Sequence, residues 1–190
     1  MKKRPTLLMH ALLCLLVLLL TVPSAMAQTE ADSTETPPQA NPEDVASVDA
    51  IIAALYDVIS GPAGQARDWD RFRSLATPTC QLIPIRRQDG SPQHSVMTVE
   101  QYIERAGPFL EQNGFFEKET ARKTERYGNL VHAFSTYDSF RTAEDTEPFQ
   151  RGINSIQLLY ENDRWWIANI AWQPEWPDLP IPTAYLPESQ

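Results

Sequence analysis

The chain has 190 residues, a formal net charge of −9, two cysteines and 42% hydrophobic residues. An acidic chain repels polyanions, which excludes nucleic acid and anionic lipid surfaces as main partners. The length suits one domain around a single core, and the cysteines are too few for a disulfide scaffold.

Residues 1–27 have the three-part form of a secretory signal peptide. Lys2, Lys3 and Arg4 open it, an uncharged run of 14 residues spans 7–20, and Ala25-Met26-Ala27 closes it on small residues. The run is short of the roughly 20 residues that cross a bilayer, so cleavage after Ala27 is expected to leave no membrane association. Cys14 lies in mid-run, unlike a lipidation site, and Lys3-Arg4 is not a twin arginine, so the general secretory route is expected. Cleavage removes three cations and Cys14. It leaves 13 Lys+Arg against 25 Asp+Glu, a net charge of −12, with Cys80 alone. The product is expected in the periplasm or outside the cell, with no intrachain disulfide.

Residues 28–43 form a leader, with no large apolar residue before position 41. A domain over 44–175 and a Pro-rich, extended tail over 176–190 complete the expected organisation. Asn41 caps a first helix with Pro42 at its first position, and Val45, Val48, Ile52, Leu55 and Ile59 give it one apolar face. Ser60-Gly61-Pro62 stops it. A short second helix starts at Asp68, carries Trp69, Phe72 and Leu75, and ends at Thr77-Pro78. A strand over 80–85, a turn at Asp89-Gly90 and a returning strand over 94–97 follow. Thr98 and Gln101 form a capping box that opens a third helix, which Asn113-Gly114 ends.

From Phe115 the period changes to two, predicting strands over 115–127, 129–141, 151–160 and 164–173. Helices followed by such strands make an α+β fold, three N-terminal helices packed on a bent antiparallel sheet. On the 115–127 strand Glu117, Glu119 and Glu125 alternate with Lys118, Arg122 and Arg126, which reads as an acidic face backing a basic one. The pattern suits a solvated hairpin, or a pocket in which Arg122 or Arg126 holds an anion. The 129–141 and 151–160 strands are partly apolar on both faces, so both faces need cover. Helices supply one side, and a second copy of the chain is the economical cover for the other. Of adjacent Trp165 and Trp166, one anchors the core and the other points away.

His132, Tyr137, Asn154 and Gln157 are the polar side chains expected inside, bonded to one another or lining a cavity. After cleavage two histidines and one cysteine remain, widely spaced, so neither a metal nor a cofactor is expected. No Gly-rich phosphate loop, nucleophile elbow or C-x-x-C is present.

The last strand, Asp163-Arg164-Trp165-Trp166-Ile167 and onward through Trp172, resembles the NTF2-like (SnoaL-like) superfamily. The blocks ALYDVISGPAG, DWDRFRSL, GNLVHAFSTYDS and RGINSIQLLY are similar to an exported bacterial subgroup of it. The resemblance covers roughly residues 44–173. It implies a cone, a bent sheet around a long helix with an apolar cavity between them, and dimers through the open sheet face. Tyr56, Trp69, Phe72, Arg122, His132, Tyr137, Asn154, Gln157 and Trp172 are the side chains expected to line the cavity. Three functions stay open. One is binding of a small apolar or anionic molecule without catalysis. The second is a proton-transfer enzyme of the ketosteroid-isomerase kind using His132 or Asp70. The third is an envelope interaction protein whose Trp cluster and tail meet a partner.

Overall fold

The computed structural model describes residues 37–188. The signal peptide and most of the leader lie outside the described residues. Asn41 does cap Pro42, but only a single 3-10 turn follows, over Pro42–Val45. The long helix α1 restarts at Val48–Ile59 because Ser47 is itself a cap, its Oγ accepting from Ala50 N at 3.0 Å. The one helix expected from residue 41 is therefore two pieces. Helix α2 spans Trp69–Leu75 behind its Asp68 cap. Helix α3 spans Val99–Asn113 behind the Thr98/Gln101 capping box, both of whose bonds are made.

The strands are β1 Ala76–Gln88, β2 Ser91–His94, β3 Phe116–Tyr127, β4 Leu130–Phe140, β5 Gln150–Glu161 and β6 Arg164–Pro174. They form one sheet in the order β2-β1-β6-β5-β4-β3. All neighbours are antiparallel except β1 and β6, which run parallel. The sheet is thus mixed rather than wholly antiparallel. β3 to β6 form a hairpin-linked meander, and its last strand returns beside β1, which left α2 in the same direction.

One face of the sheet is covered by α1. Val131, Ala133, Ser135 and Tyr137 of β4 and Asn154, Ile156 and Leu158 of β5 lie on it, all buried. Against them α1 sets Ile51, Ile52, Leu55, Tyr56 and Val58, also buried. Full burial of each aliphatic side chain contributes about 1.5–3 kcal/mol. Trp165 joins this core at 4% exposure, whereas Trp166 lies under the Arg164 guanidinium, 3.5 Å from its ring centre.

Two bulges decide which side chains reach this face. On β3, Glu119 pairs with Tyr137 but Ala121 with Thr136, so Thr120 is an extra residue and the alternation flips. Glu117, Glu119 and Arg122 therefore share the inner face. The clean separation of an acidic and a basic face expected for residues 115–127 fails for this reason. On β6, Ala168 is extra in the same sense, and Trp165 and Trp172 both point inward.

The outer face is covered in part by the chain's own tail. Ile181 is 8% exposed, Tyr185 packs edge-on to Phe134 at 4.9 Å, and Thr136 Oγ1 donates to Tyr185 O at 2.6 Å. The tail is not purely extended, since Thr183–Tyr185 form a 3-10 turn behind Pro182. Cover that the strand pattern required on this side comes, at Phe134 and Thr136, from residues of the same chain.

Candidate functional site

The inner face carries a connected set of polar side chains at the end of α1. Glu117, second residue of β3, sits opposite Ser139 of β4. Its Oε2 accepts from Ser139 Oγ at 2.9 Å and its Oε1 from Asn154 Nδ2 at 3.2 Å. Asn154 Nδ2 also donates to Tyr56 Oη at 3.0 Å. Tyr56 Oη lies 2.7 Å from Ser135 Oγ, which in turn donates to Glu119 Oε1. Since Ser135 spends its proton on Glu119, the Tyr56 hydroxyl donates to Ser135. The proton order is then Asn154 to Tyr56 to Ser135 to Glu119.

The backbone fixes this arrangement. Glu117 N donates to Ser60 Oγ at 3.0 Å, and Ser60 Oγ donates to Tyr56 O at 2.7 Å, so the end of α1 and the start of β3 are tied together. Tyr137 lies against Gly152, where an added Cβ would stand 2.4 Å from Tyr137 Oη. Only glycine leaves room for that ring.

The two carboxylates at the ends of the set differ in their partners. Glu119 is gripped by Arg122 through Nε at 2.8 Å and Nη2 at 2.7 Å, and Arg122 Nη1 reaches Asp49 at 2.7 Å. Glu117 makes no ion pair among the described residues; its bonds are to neutral donors. Burial pushes its carboxyl up to about 7, with the Ser139 and Asn154 bonds acting in the opposite direction. Glu117 is half-buried, so part of it meets solvent. Burial, together with the charge of Glu117, also raises the pKa values of Tyr56, Tyr102 and Tyr137. These three phenols stay protonated around physiological pH, and with the Tyr56 proton committed to Ser135, Tyr102 and Tyr137 are the ones whose protons the polar set does not use.

An aromatic wall adjoins the set. Tyr102 of α3 meets Phe72 at 5.5 Å, Trp172 at 6.1 Å and Trp69 at 6.5 Å between ring centres. A largely buried carboxyl that gains or loses a proton near neutrality, beside neutral donors and aromatic rings, can bind a polar group or move a proton.

Tyr56, Tyr137, Asn154 and Trp172, expected to line the cavity, thus meet on the inner face, and Trp69 and Phe72 join them through Tyr102. Arg122 stands at the rim, committed to Glu119 and Asp49. His132 and Gln157 lie on the other side of the sheet. His132 Nε2 is 3.0 Å from Ser155 Oγ and its Nδ1 is 3.8 Å from Glu125. Asp70 is at the surface, 78% exposed and paired with Arg73 at 2.8 Å. Neither Asp70 nor His132 reaches the inner set. Sequence reasoning passed over Glu117, Tyr102, Ser135 and Ser139. The available signal was Ser135-x-Tyr137-x-Ser139, a polar row continuing the apolar Val131-x-Ala133, which requires buried acceptors from a neighbouring strand.

Comparison of the sequence with family models and with curated proteins gives no match. Among solved structures, the chain is similar to a protein of unknown function with a cystatin-like fold from Nostoc punctiforme. The TM-score is 0.51 at 10% identity, over 68% of this chain and 89% of that one. It is also similar to a function-unknown protein from Mycobacterium tuberculosis, TM-score 0.50, 15% identity, over 72% and 75% of the two chains. An NTF2-like protein of unknown function from Silicibacter pomeroyi superposes with TM-score 0.48, 11% identity, over 68% and 94%. At these identities the likeness extends to the fold alone, three helices on a mixed sheet in an α+β arrangement like that of the cystatin-like Nostoc protein.

Proposed function

We propose that the protein is an exported binding domain that holds a small, mainly apolar molecule on the inner face of its sheet, a polar group of that molecule meeting Glu117. The observation that carries this reading is the Glu117 carboxyl, held by Ser139 and Asn154 without a cation in a side chain that is not fully buried. A carboxyl in that position costs stability, and such groups gather at functional sites. Tyr102 and Tyr137 offer neutral donors, and Trp172 and Phe72 offer apolar walls. A thermal-shift screen of the mature chain with apolar and anionic metabolites tests it. A ligand should raise Tm of the wild type and do so much less for Glu117→Gln. Failure of every class to shift the wild type would overturn the reading.

A second reading is proton transfer, and the position of the Glu117 pKa near 7 favours it. A carboxylate there can take a proton from a carbon beside a carbonyl while a tyrosine O–H bonds to the enolate oxygen. The protonated carboxyl then returns the proton, at the same carbon or a conjugated one, with no net oxidation. Incorporation of deuterium from heavy water into a bound ketone, lost in Glu117→Gln, would separate this from binding alone.

A further inference from the structure

The outer face of the sheet, opposite Glu117, holds a partly open cleft. The chain leaves β6 at Pro174, turns where Trp176 and Leu179 bridge, and returns across the outer face. Two anchors hold this strap. At one, Arg87 grips Asp178 through Nη1 at 2.6 Å and Nη2 at 2.8 Å while its guanidinium lies 4.1 Å from the Trp176 ring centre. At the other, Thr136 Oγ1 donates to Tyr185 O and the Tyr185 ring packs on Phe134. Between the anchors, Leu179 to Pro182 run over a floor of Ile85, Phe134, Ile153 and Ala171 and bound a cleft of about 450 Å³.

The chemistry of the lining selects an occupant. Apolar side chains dominate, and no lysine or arginine lines the space. Its one carboxylate, Glu175, is already committed. Its Oε1 accepts from Ile181 N at 2.9 Å and its Oε2 lies 3.7 Å from Arg151 Nη1. An anionic ligand would meet that carboxylate, whose neighbouring cation Arg151 is already shared with Asp138, and a cationic one would have to displace Arg151. An uncharged ligand meets neither cost. The uncharged polar side chains in the lining are Ser155, Gln173 and Tyr185, and Ser155 Oγ is held 3.0 Å from His132 Nε2. The volume falls within the roughly 300–1,000 Å³ of small-molecule sites.

We propose that the strap and the outer sheet face form a second binding site, for an uncharged, mostly apolar small molecule that bonds to Ser155 through one polar atom. The space is partly open to solvent, and the strap forms one wall of it. Pro180 and Pro182 keep that strap stiff, and the exposed Arg87–Asp178 pair is the latch that opens most readily.

The test uses the whole mature chain and N-phenyl-1-naphthylamine, an uncharged probe whose fluorescence rises in apolar surroundings. Saturable one-to-one binding is expected, with its sulfonated anionic analogue at least about tenfold weaker. Ala171→Phe, which fills the floor, should weaken binding by about tenfold or more. Leu179→Trp fills the space from the strap, and since Leu179 is 47% exposed this variant tests the site if the floor variant fails to fold. Glu117→Gln should leave binding unchanged. Absence of saturable binding, binding by both filling variants undiminished from wild type, or loss of binding in Glu117→Gln alone would each overturn the proposal. The last result would place the probe on the inner face and leave the function proposed above standing.

Discussion

Asn154 and Glu117 are joined by a 3.2 Å hydrogen bond between two strands that are not neighbours in the sheet, with β4 lying between them. The bond crosses β4 at Ser135 and Ser139, whose small side chains leave room for it. It makes the Glu117 carboxyl part of the core without giving it a cation, and its titration should therefore be visible in stability.

The sign of that effect is opposite to the usual carboxylate case. The folded-state pKa of Glu117 is raised from 4.5 to about 7, so between those values the folded protein binds more protons than the unfolded one. Stability contributed by this group is highest below about pH 4.5 and falls as pH rises towards 7. The cost at pH 8 is on the order of 2 kcal/mol once solvent contact with the half-buried side chain is allowed for. Urea unfolding of wild type and Glu117→Gln from pH 4 to pH 8 measures it. The variant should gain relative to wild type as pH rises; a constant difference would contradict the assignment.

Tyr56 Oη links the two halves of the polar set, accepting from Asn154 and donating to Ser135. Tyr56→Phe leaves both partners short of a bond inside the core and should cost about 1–3 kcal/mol. In a double-mutant cycle with Ser135→Ala the two effects should couple by about 0.5–3 kcal/mol. Chemical denaturation of the four proteins gives the number, and additivity would show that the bond carries no energy.

Arg67 is 7% exposed and donates to the carbonyl oxygens of Ile59 at 3.0 Å, Gly61 at 2.6 Å and Leu110 at 3.1 Å. It satisfies main-chain acceptors at the ends of α1 and α3 together. Arg67→Met should cost about 3 kcal/mol or more, since buried acceptors lose their donors. A Cβ on Gly61 would stand 2.8 Å from Arg67 Nη1, so Gly61→Ala should also destabilise, by about 1–3 kcal/mol. Thermal unfolding of both single variants and the pair should show strong non-additivity, because the same guanidinium is disturbed in each.

Removal of residues 177–190 uncovers Phe134, Ile153 and Thr136 on the outer face. An apolar sheet face so exposed favours self-association. Sedimentation velocity over a range of concentrations should show association of the truncated chain strengthened by about tenfold or more over the full mature chain. Equal behaviour of the two would mean that the tail does not shield this face.

Much of the fold was legible because its signals are local. The capping box of α3 needs only Thr98 and Gln101, and both of its bonds form. The turns at Asp89-Gly90 and Asn162-Asp163 adopt the positive φ values that these residue types tolerate. Strand limits from Phe115 onward follow the two-residue period within a residue or two of the observed ends. The first helix was misjudged at its start because two competent caps, Asn41 and Ser47, lie six residues apart and either could have opened it.

By itself the sequence determined the class of fold, the order of its elements and the small polar row on β4, since each depends on side chains close together in the chain. Only the tertiary structure decided what faces what. Thr120 is a bulge because of its register against Tyr137 and Thr136, and that one extra residue sets Arg122 on the same side as Glu117 and Glu119. The parallel pairing of β1 with β6 and the return of the tail over Phe134 likewise join residues roughly 50 to 90 positions apart. Contacts of that kind are fixed by packing of the whole sheet, and no local pattern of residues encodes them.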